Sequence, residues 1–145
     1  MPMPPLSNFP EIRDQFTHAP DGARIHFLDN ESNSKDNLPL VIVSGMLGIA
    51  DHYRNELKAL APNRVIAISH RGLGKSGPIS AGKATFAHRV SDIGAVTRYL
   101  GLKKYVLYAF SRGVALAVAH GLANLGSIEA MVLHDCEPTY IRPSE

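Results

Sequence analysis

The chain has 145 residues, 45% of them hydrophobic and 19% charged, which is the composition of an ordinary globular domain with a sizeable core. The formal net charge of +2, with scattered basic residues, excludes the strongly basic classes that bind nucleic acids or anionic membranes. The single cysteine, Cys136, excludes an internal disulfide framework and is typical of a reducing compartment. No apolar run has the length of a membrane span, and residues 1–10 lack the pattern of a signal peptide. We therefore expect a cytoplasmic protein with neither a membrane nor a nucleic-acid partner.

The N-terminal region is rich in proline, and we expect residues 1–20 to form an extended, loosely held arm. The core domain is expected to begin at the turn signal Asp21-Gly22 and to occupy residues 21–145. Residues 23–28 alternate polar and apolar side chains, which predicts a half-buried edge strand.

Four later segments are continuous apolar runs of strand length, separated by segments with helical periodicity. Strands that are apolar on both faces belong to a parallel sheet that is covered by helices on each side. We therefore predict an α/β fold with a mostly parallel sheet and helices on both faces, in one domain without repeats. The predicted strands are 40–43, 64–68, 105–109 and 130–133, and the predicted helices are 51–61, 84–100 and 114–125.

The segment around Ser111 has the order strand, sharp turn, helix. An apolar run ends on this serine, and small residues lie two positions before and after it, at Ala109 and Gly113. This is the G-x-S-x-G pattern of a nucleophile elbow, with alanine in the first place. Such a turn exposes the hydroxyl next to the N-terminus of a helix, which favours developing negative charge. The alternative is a serine that only caps the helix.

The loop after the first parallel strand, residues 44–50, contains two glycines that allow tight turns and exposed N–H groups. If Ser111 is a nucleophile, the backbone N–H groups of Met46 and Arg112 are the expected donors of an oxyanion hole. The alternative is an ordinary glycine-containing loop between a strand and a helix.

The loop after the second parallel strand contains Gly-Lys-Ser at residues 74–76, which is similar to the end of a phosphate-binding P-loop. The first glycine of that motif is replaced by Ser69, and Pro78 follows where a helix should begin. A tight loop that supports the neighbouring site is favoured, and nucleotide binding is the alternative.

Polar residues also follow the last predicted strand, at His134, Asp135 and Glu137. No spacing of the C-x-x-C or H-x-x-x-H kind supports a metal site there, and none is expected. A carboxylate at this strand end can orient a histidine base, with Asp135 as the first candidate and Glu137 as the second. A polar strand terminus before a proline turn is an equal alternative.

Three segments resemble motifs of the α/β-hydrolase superfamily and occur in the family's order and spacing. Residues 44–48 (Ser-Gly-Met-Leu-Gly) are similar to the oxyanion segment, residues 69–76 to the Asp-x-Arg-Gly-x-Gly-x-Ser loop, and residues 109–113 to the elbow. Serine at 44 and alanine at 109 replace the usual histidine and glycine. Over residues 21–138 the chain looks like the first half of an esterase or lipase of the BioH-like and epoxide-hydrolase-like group.

This resemblance implies an α/β-hydrolase-like fold truncated after the family's sixth strand, and a serine hydrolase that acts on an ester or similar acyl substrate without a cofactor. Ser111 would be the nucleophile, Met46 and Arg112 the oxyanion donors through their N–H groups, and Asp135 a possible acid. The family normally supplies its acid and its histidine from later strands.

None of the seven histidines in the chain is expected to be the general base. We expect the base to come from a second polypeptide that carries the C-terminal half, or the chain to pair with a copy of itself. The alternative function is a non-catalytic binding or interaction protein of the same fold.

Overall fold

Strands and helices alternate along most of the chain in the computed structural model, which describes residues 11–33 and 35–135. Each predicted parallel strand and each predicted helix is present, with bounds that differ by a few residues. In chain order the elements are β1 (Arg13–His18), β2 (Arg24–Asp29), β3 (Leu40–Val43), α1 (Arg54–Ala59), β4 (Val65–Ile68), α2 (Phe86–Tyr99), β5 (Tyr105–Phe110), α3 (Gly113–Ala123) and β6 (Ile128–His134), with 3-10 turns at Ala50–Tyr53 and Gly74–Ser76.

The strands form one six-stranded sheet in the order β1-β2-β4-β3-β5-β6. Strands β3 to β6 pair in parallel, whereas β1 and β2 run antiparallel to their neighbours. The predicted α/β class with a mostly parallel sheet is confirmed.

Successive side chains of the central strands point to opposite faces of the sheet. Because these strands are apolar throughout, both faces carry apolar side chains, and helices cover both. Val41 and Val43 of β3 join a core cluster with residues of α2 and α3. Ile42 lies in a second cluster with Leu57 of α1 on the other face. No helix within the described residues is long and apolar enough to cross a membrane.

The prediction for the N-terminal region is wrong in the part that the structure describes. Residues 13–18 of the expected arm form β1, which pairs with β2 along its whole length, from Arg13 opposite Asp29 to His18 opposite Arg24. The Asp21-Gly22 signal marks the hairpin turn between these strands, so the folded sheet begins before residue 21. Residues 1–10 of the arm lie outside the described residues.

Strand β2 is likewise not the predicted half-buried edge strand. It lies between β1 and β4, and Ile25, Phe27 and even the polar His26 are completely buried. The alternation of polar and apolar residues suggested that His26 faces solvent. Its imidazole is instead buried and contacts Ser69 at 2.8 Å and Asp14 at 2.9 Å.

The carboxyl ends of the parallel strands lie at one edge of the sheet, as their direction requires. This brings together the loops that follow β3 and β4, the turn at Ser111 after β5, and Asp135 after β6. These are the loops that the sequence marks as candidates for chemistry.

Candidate active site

Ser111 occupies the sharp turn between β5 and α3, with a backbone φ of +51° in the left-handed region that a non-glycine residue rarely adopts. The turn is held from two sides. The N–H of Ser111 donates to the carbonyl oxygen of His134 on β6 at 2.8 Å, and the N–H of Val114 donates to the carbonyl oxygen of Ser111 at 3.0 Å. The serine is partly exposed. This strained strand–turn–helix geometry is what a nucleophile elbow requires.

The small residues that flank the turn are explained by close backbone contacts. A Cβ atom at Gly113 would lie about 2.5 Å from the carbonyl oxygen of Val43 and would also meet that of Ser44, so only glycine fits. Ala109 is completely buried opposite Val43 in the parallel pairing of β3 and β5. Its methyl group is accommodated there, so alanine at this position is compatible with the elbow.

The loop after β3 makes a tight turn in which the N–H of Gly48 donates to the carbonyl oxygen of Gly45 at 3.0 Å. A Cβ on Gly45 would lie 3.4 Å from the Cβ of Ser111 and 3.1 Å from the ring of Phe110. The Gly45–Met46 backbone is therefore in immediate contact with the elbow, which sets the predicted oxyanion segment beside the predicted nucleophile.

His70, in the loop after β4, holds this segment in place. Its Nε2 lies 2.9 Å from the carbonyl oxygen of Ser44 and 3.0 Å from that of Gly45, so Nε2 carries the proton and donates to both. Because C=O and N–H point in opposite directions across a trans peptide, the Met46 N–H points away from His70. Burial lowers the pKa of His70, which favours the neutral ring.

The two predicted oxyanion donors are available for a ligand. Within residues 11–33 and 35–135, no protein group accepts a hydrogen bond from the N–H of Met46 or of Arg112. Both residues line a cavity of about 450 Å³ next to the elbow. The described residues that line it are Gly45, Met46, Leu47, His70, Leu73, Phe86, Arg89, Arg112 and Leu116.

Asp135 lies one residue beyond β6, is exposed, and has a φ of +59°. Because Phe110 pairs with His134, the residues that follow them, Ser111 and Asp135, occupy neighbouring strand ends. The imidazole of His134 is turned to Tyr108, whose hydroxyl lies 2.9 Å from its Nδ1. In the part of the chain that the structure describes, no histidine side chain is hydrogen-bonded to the side chain of Ser111 or of Asp135. Glu137 and Cys136 lie outside it.

The elbow, the oxyanion segment and the sheet topology agree with one family. The sequence profile of the alpha/beta hydrolase fold matches residues 39–139. The chain belongs to the α/β-hydrolase fold family. No curated protein sequence matches it.

Solved α/β-hydrolase structures resemble this chain closely in fold. One from Novosphingobium aromaticivorans is 26% identical with a TM-score of 0.82, over 90% of this chain and 46% of the other. An epoxide hydrolase from an endophytic Streptomyces is 26% identical with a TM-score of 0.72, over 84% and 36% of the two chains. An epoxide hydrolase from Vigna radiata, 23% identical with a TM-score of 0.75 over 92% and 44%, supports the fold alone. The chain thus spans less than half the length of these hydrolases.

Arg71, in the loop after β4, forms a buried ion pair with Asp92 of α2 that the sequence did not predict. The Arg71 side chain is inaccessible to solvent and donates from Nε and one terminal nitrogen to both carboxylate oxygens of Asp92, at 2.8 and 2.5 Å. Its other contacts are with Asp21, at 2.8 and 3.2 Å, and the carbonyl oxygen of Lys83, at 2.7 Å. The pair with Asp92 raises the pKa of Arg71. Through Asp92 and Asp21, Arg71 attaches the loop that contains His70 to α2 and to the β1–β2 turn. These partners are too distant in sequence to be predicted.

The same loop does not use its Gly-Lys-Ser segment as a P-loop would. The Ser76 hydroxyl donates to the carbonyl oxygen of Ser69 at 3.1 Å and accepts from the N–H of His26 at 3.0 Å. Lys75 pairs with Asp14 at 2.7 Å. Because both side chains are engaged within the protein, the geometry favours the supporting loop over nucleotide binding.

One group of potential metal ligands exists among the described residues, made of Asp14, His26 and Asp51, whose ligand atoms lie within 4.8 Å of one another. Two cationic side chains already occupy it. Lys75 contacts Asp14, and Arg54 contacts Asp14 at 3.1 Å and Asp51 at 2.7 Å. The group is a compensated ion-pair network that joins β1 to the neighbouring turns.

Proposed function

We propose that this chain carries the nucleophile and the oxyanion hole of a serine hydrolase that acts on an ester or similar acyl compound. The observation that carries the proposal is the strained φ of +51° at Ser111, next to the N–H groups of Met46 and Arg112, which donate to no group of the described residues. A serine that only capped α3 would need neither the strain nor a second N–H group from another loop.

In the proposed reaction the Oγ of Ser111 attacks the carbonyl carbon of the substrate and loses its proton to a base. The carbonyl oxygen becomes an oxyanion that accepts hydrogen bonds from the Met46 and Arg112 N–H groups. Collapse releases the alcohol, which takes the proton, and leaves an acyl ester on Ser111. Water then attacks this ester, and the acid product and the free serine are released.

A serine nucleophile favours acyl chemistry over the epoxide opening named for some of the similar structures. Attack of a serine oxygen on an epoxide carbon would form an ether, which water does not cleave under these conditions, so the enzyme would stop after one turnover. Attack on an acyl carbon forms an ester that water does cleave. We therefore place an ester or a related acyl compound in the site.

The base is proposed to come from a further polypeptide. His70 uses its Nε2 on two carbonyl oxygens, and His120 is buried against Tyr105 on the far side of α3 from solvent. In the described sheet β6 is paired on one side only, and Val132 and Leu133 are 51% and 36% exposed. We propose that a second polypeptide, which brings the histidine, covers this edge.

The test is intact-mass analysis of the purified protein before and after exposure to a fluorophosphonate. We expect a companion polypeptide and one label, on Ser111, that the Ser111→Ala variant does not take. Ser127→Ala, a change in the turn after α3, is the matched control and should label normally. A lone chain that takes no label would remove the catalytic proposal and would favour the alternative, a binding protein of the same fold.

A further inference from the structure

The cavity beside Ser111 has a charge pattern that points to its substrate. We propose that it selects acyl compounds that also carry a carboxylate, and that Arg89 and Arg112 bind that carboxylate. This inference rests on the proposed function, because it names the substrate class of the same site.

Among the described residues, the side chains that line the cavity are apolar apart from those of His70, Arg89 and Arg112, and none is acidic. His70 is committed to the carbonyl oxygens of Ser44 and Gly45. The two arginines are therefore the free charged groups of the cavity, and both are positive.

Three other arginines, all partly or fully buried, have acidic partners. Arg54, Arg64 and Arg71 each contact a carboxylate at 2.7 to 2.8 Å. Within the described ranges, by contrast, neither the Arg89 nor the Arg112 guanidinium makes a hydrogen bond or an ion pair. A guanidinium that faces an apolar cavity without a counter-ion is ready to bind a planar anion, and a carboxylate matches its two parallel N–H groups.

The positive charge of Arg89 affects the electrostatics of the site. Burial is the largest cause of the lowered pKa of His70, and the charge of Arg89 lowers this pKa further, whereas the hydrogen bond to the Ser44 carbonyl raises it. A bound carboxylate would offset this positive field next to the oxyanion segment.

The position of the arginines defines the substrate further. Arg112 follows the nucleophile directly, whereas Arg89 is on α2, and Leu47, Leu73, Phe86 and Leu116 lie in the same lining. A short hydrocarbon chain would contact these apolar side chains, with an ester group at Ser111 and a carboxylate at the arginines. The matching class is a half-ester of a short dicarboxylic acid, whose hydrolysis yields the dicarboxylate and an alcohol.

The experiment measures binding without turnover, in the Ser111→Ala variant, by calorimetry with monomethyl glutarate and with dimethyl glutarate. Since a hydrogen bond to a charged group contributes about 1.5–3 kcal/mol, we expect the half-ester to bind about tenfold or more tightly than the neutral diester. Adding Arg89→Gln or Arg112→Gln should each remove most of this preference. Adding Arg98→Gln, an exposed arginine on α2 outside the cavity lining, should leave it unchanged.

Equal affinity for the two esters, binding of neither, or the same loss with Arg98→Gln would overturn the inference. Circular dichroism of each variant shows whether the fold is retained. Fluorophosphonate labelling of the unsubstituted protein separates the two proposals. Labelling without a charge preference keeps the hydrolase and rejects the carboxylate site, whereas a preference without labelling keeps the site and rejects the hydrolase.

Discussion

Gly113 lies so close to the backbone carbonyl of Ser44 that a Cβ atom would overlap it, so the first turn of α3 packs tightly against the start of the oxyanion segment. The relative position of Ser111 and the Met46 N–H thus depends on a close backbone approach at Gly113.

The first prediction follows from this contact. Gly113→Ala should destabilise the protein by about 3 kcal/mol, the upper end of the range for an overpacked core, because the new Cβ meets rigid backbone oxygens. The measurement is urea unfolding. Gly126→Ala is the matched control, since its Cβ would meet nothing within 4 Å, and it should change stability by less than about 0.5 kcal/mol. Equal effects would contradict the packing argument.

A second prediction concerns His70. If it positions the oxyanion segment through its Nε2 proton, His70→Ala should lower the kcat of the protein, measured together with the partner that supplies the base, about 10²-fold, the effect of losing an oxyanion donor. His70→Gln should retain much of the activity, because an amide N–H can donate to the same carbonyl oxygens. A general base would be lost in both variants, so equal loss in the two would reject the positioning role.

The third prediction tests the buried pair of Arg71 and Asp92. Arg71→Met leaves the carboxylate of Asp92, which is 2% exposed, without its partner, and should cost about 3–5 kcal/mol. The double variant Arg71→Met/Asp92→Leu removes both charges and should recover most of that loss. Denaturant unfolding of the two variants provides the comparison. A double variant as unstable as Arg71→Met would mean that the ion pair is not the source of the effect.

A fourth prediction is an acid-dependent loss of stability. Burial, and then the charge of Arg98, lower the pKa of His120 from 6.5 to about 4. The unfolded chain therefore binds more protons than the folded protein in this interval, so stability is full above pH 6.5 and falls as the pH drops to about 4. The difference corresponds to about 3 kcal/mol.

His120→Gln removes this proton uptake, so unfolding free energies measured at pH 7 and pH 4.5 should differ less in the variant than in the parent protein. Other buried histidines, His26 and His70, also have lowered pKa values, so part of the acid sensitivity should remain. An unchanged pH dependence in His120→Gln would reject the assignment.

Local sequence signals were sufficient for the parallel strands and for the elbow. Uninterrupted apolar runs identify β3 to β6, and the spacing of Ala109, Ser111 and Gly113 identifies the turn. Strand β1 was missed because its residues, Arg-Asp-Gln-Phe-Thr-His, are mostly polar and follow prolines, and it is a strand because it pairs with β2.

The contacts that hold the site together could not be predicted from local patterns. Arg71 finds Asp21 and Asp92 at sequence distances of 50 and 21 residues, and His70 reaches carbonyl oxygens 25 and 26 residues away. Such contacts depend on how the strands are ordered in the sheet, which the motif spacing does not specify. The roles assigned to Ser111, Met46, Arg112 and Asp135 remain predictions.

The amide N–H of Ser111 is hydrogen-bonded to the last residue of β6, a strand with a neighbour on one side only in the part of the sheet that the structure describes. The turn at Ser111 is therefore held by a hydrogen bond to the edge strand of the described sheet. A partner that extends the sheet at β6 would immobilise this anchor at the same moment as it delivered a histidine. Under the proposed arrangement, binding of the partner and onset of activity would then be a single event.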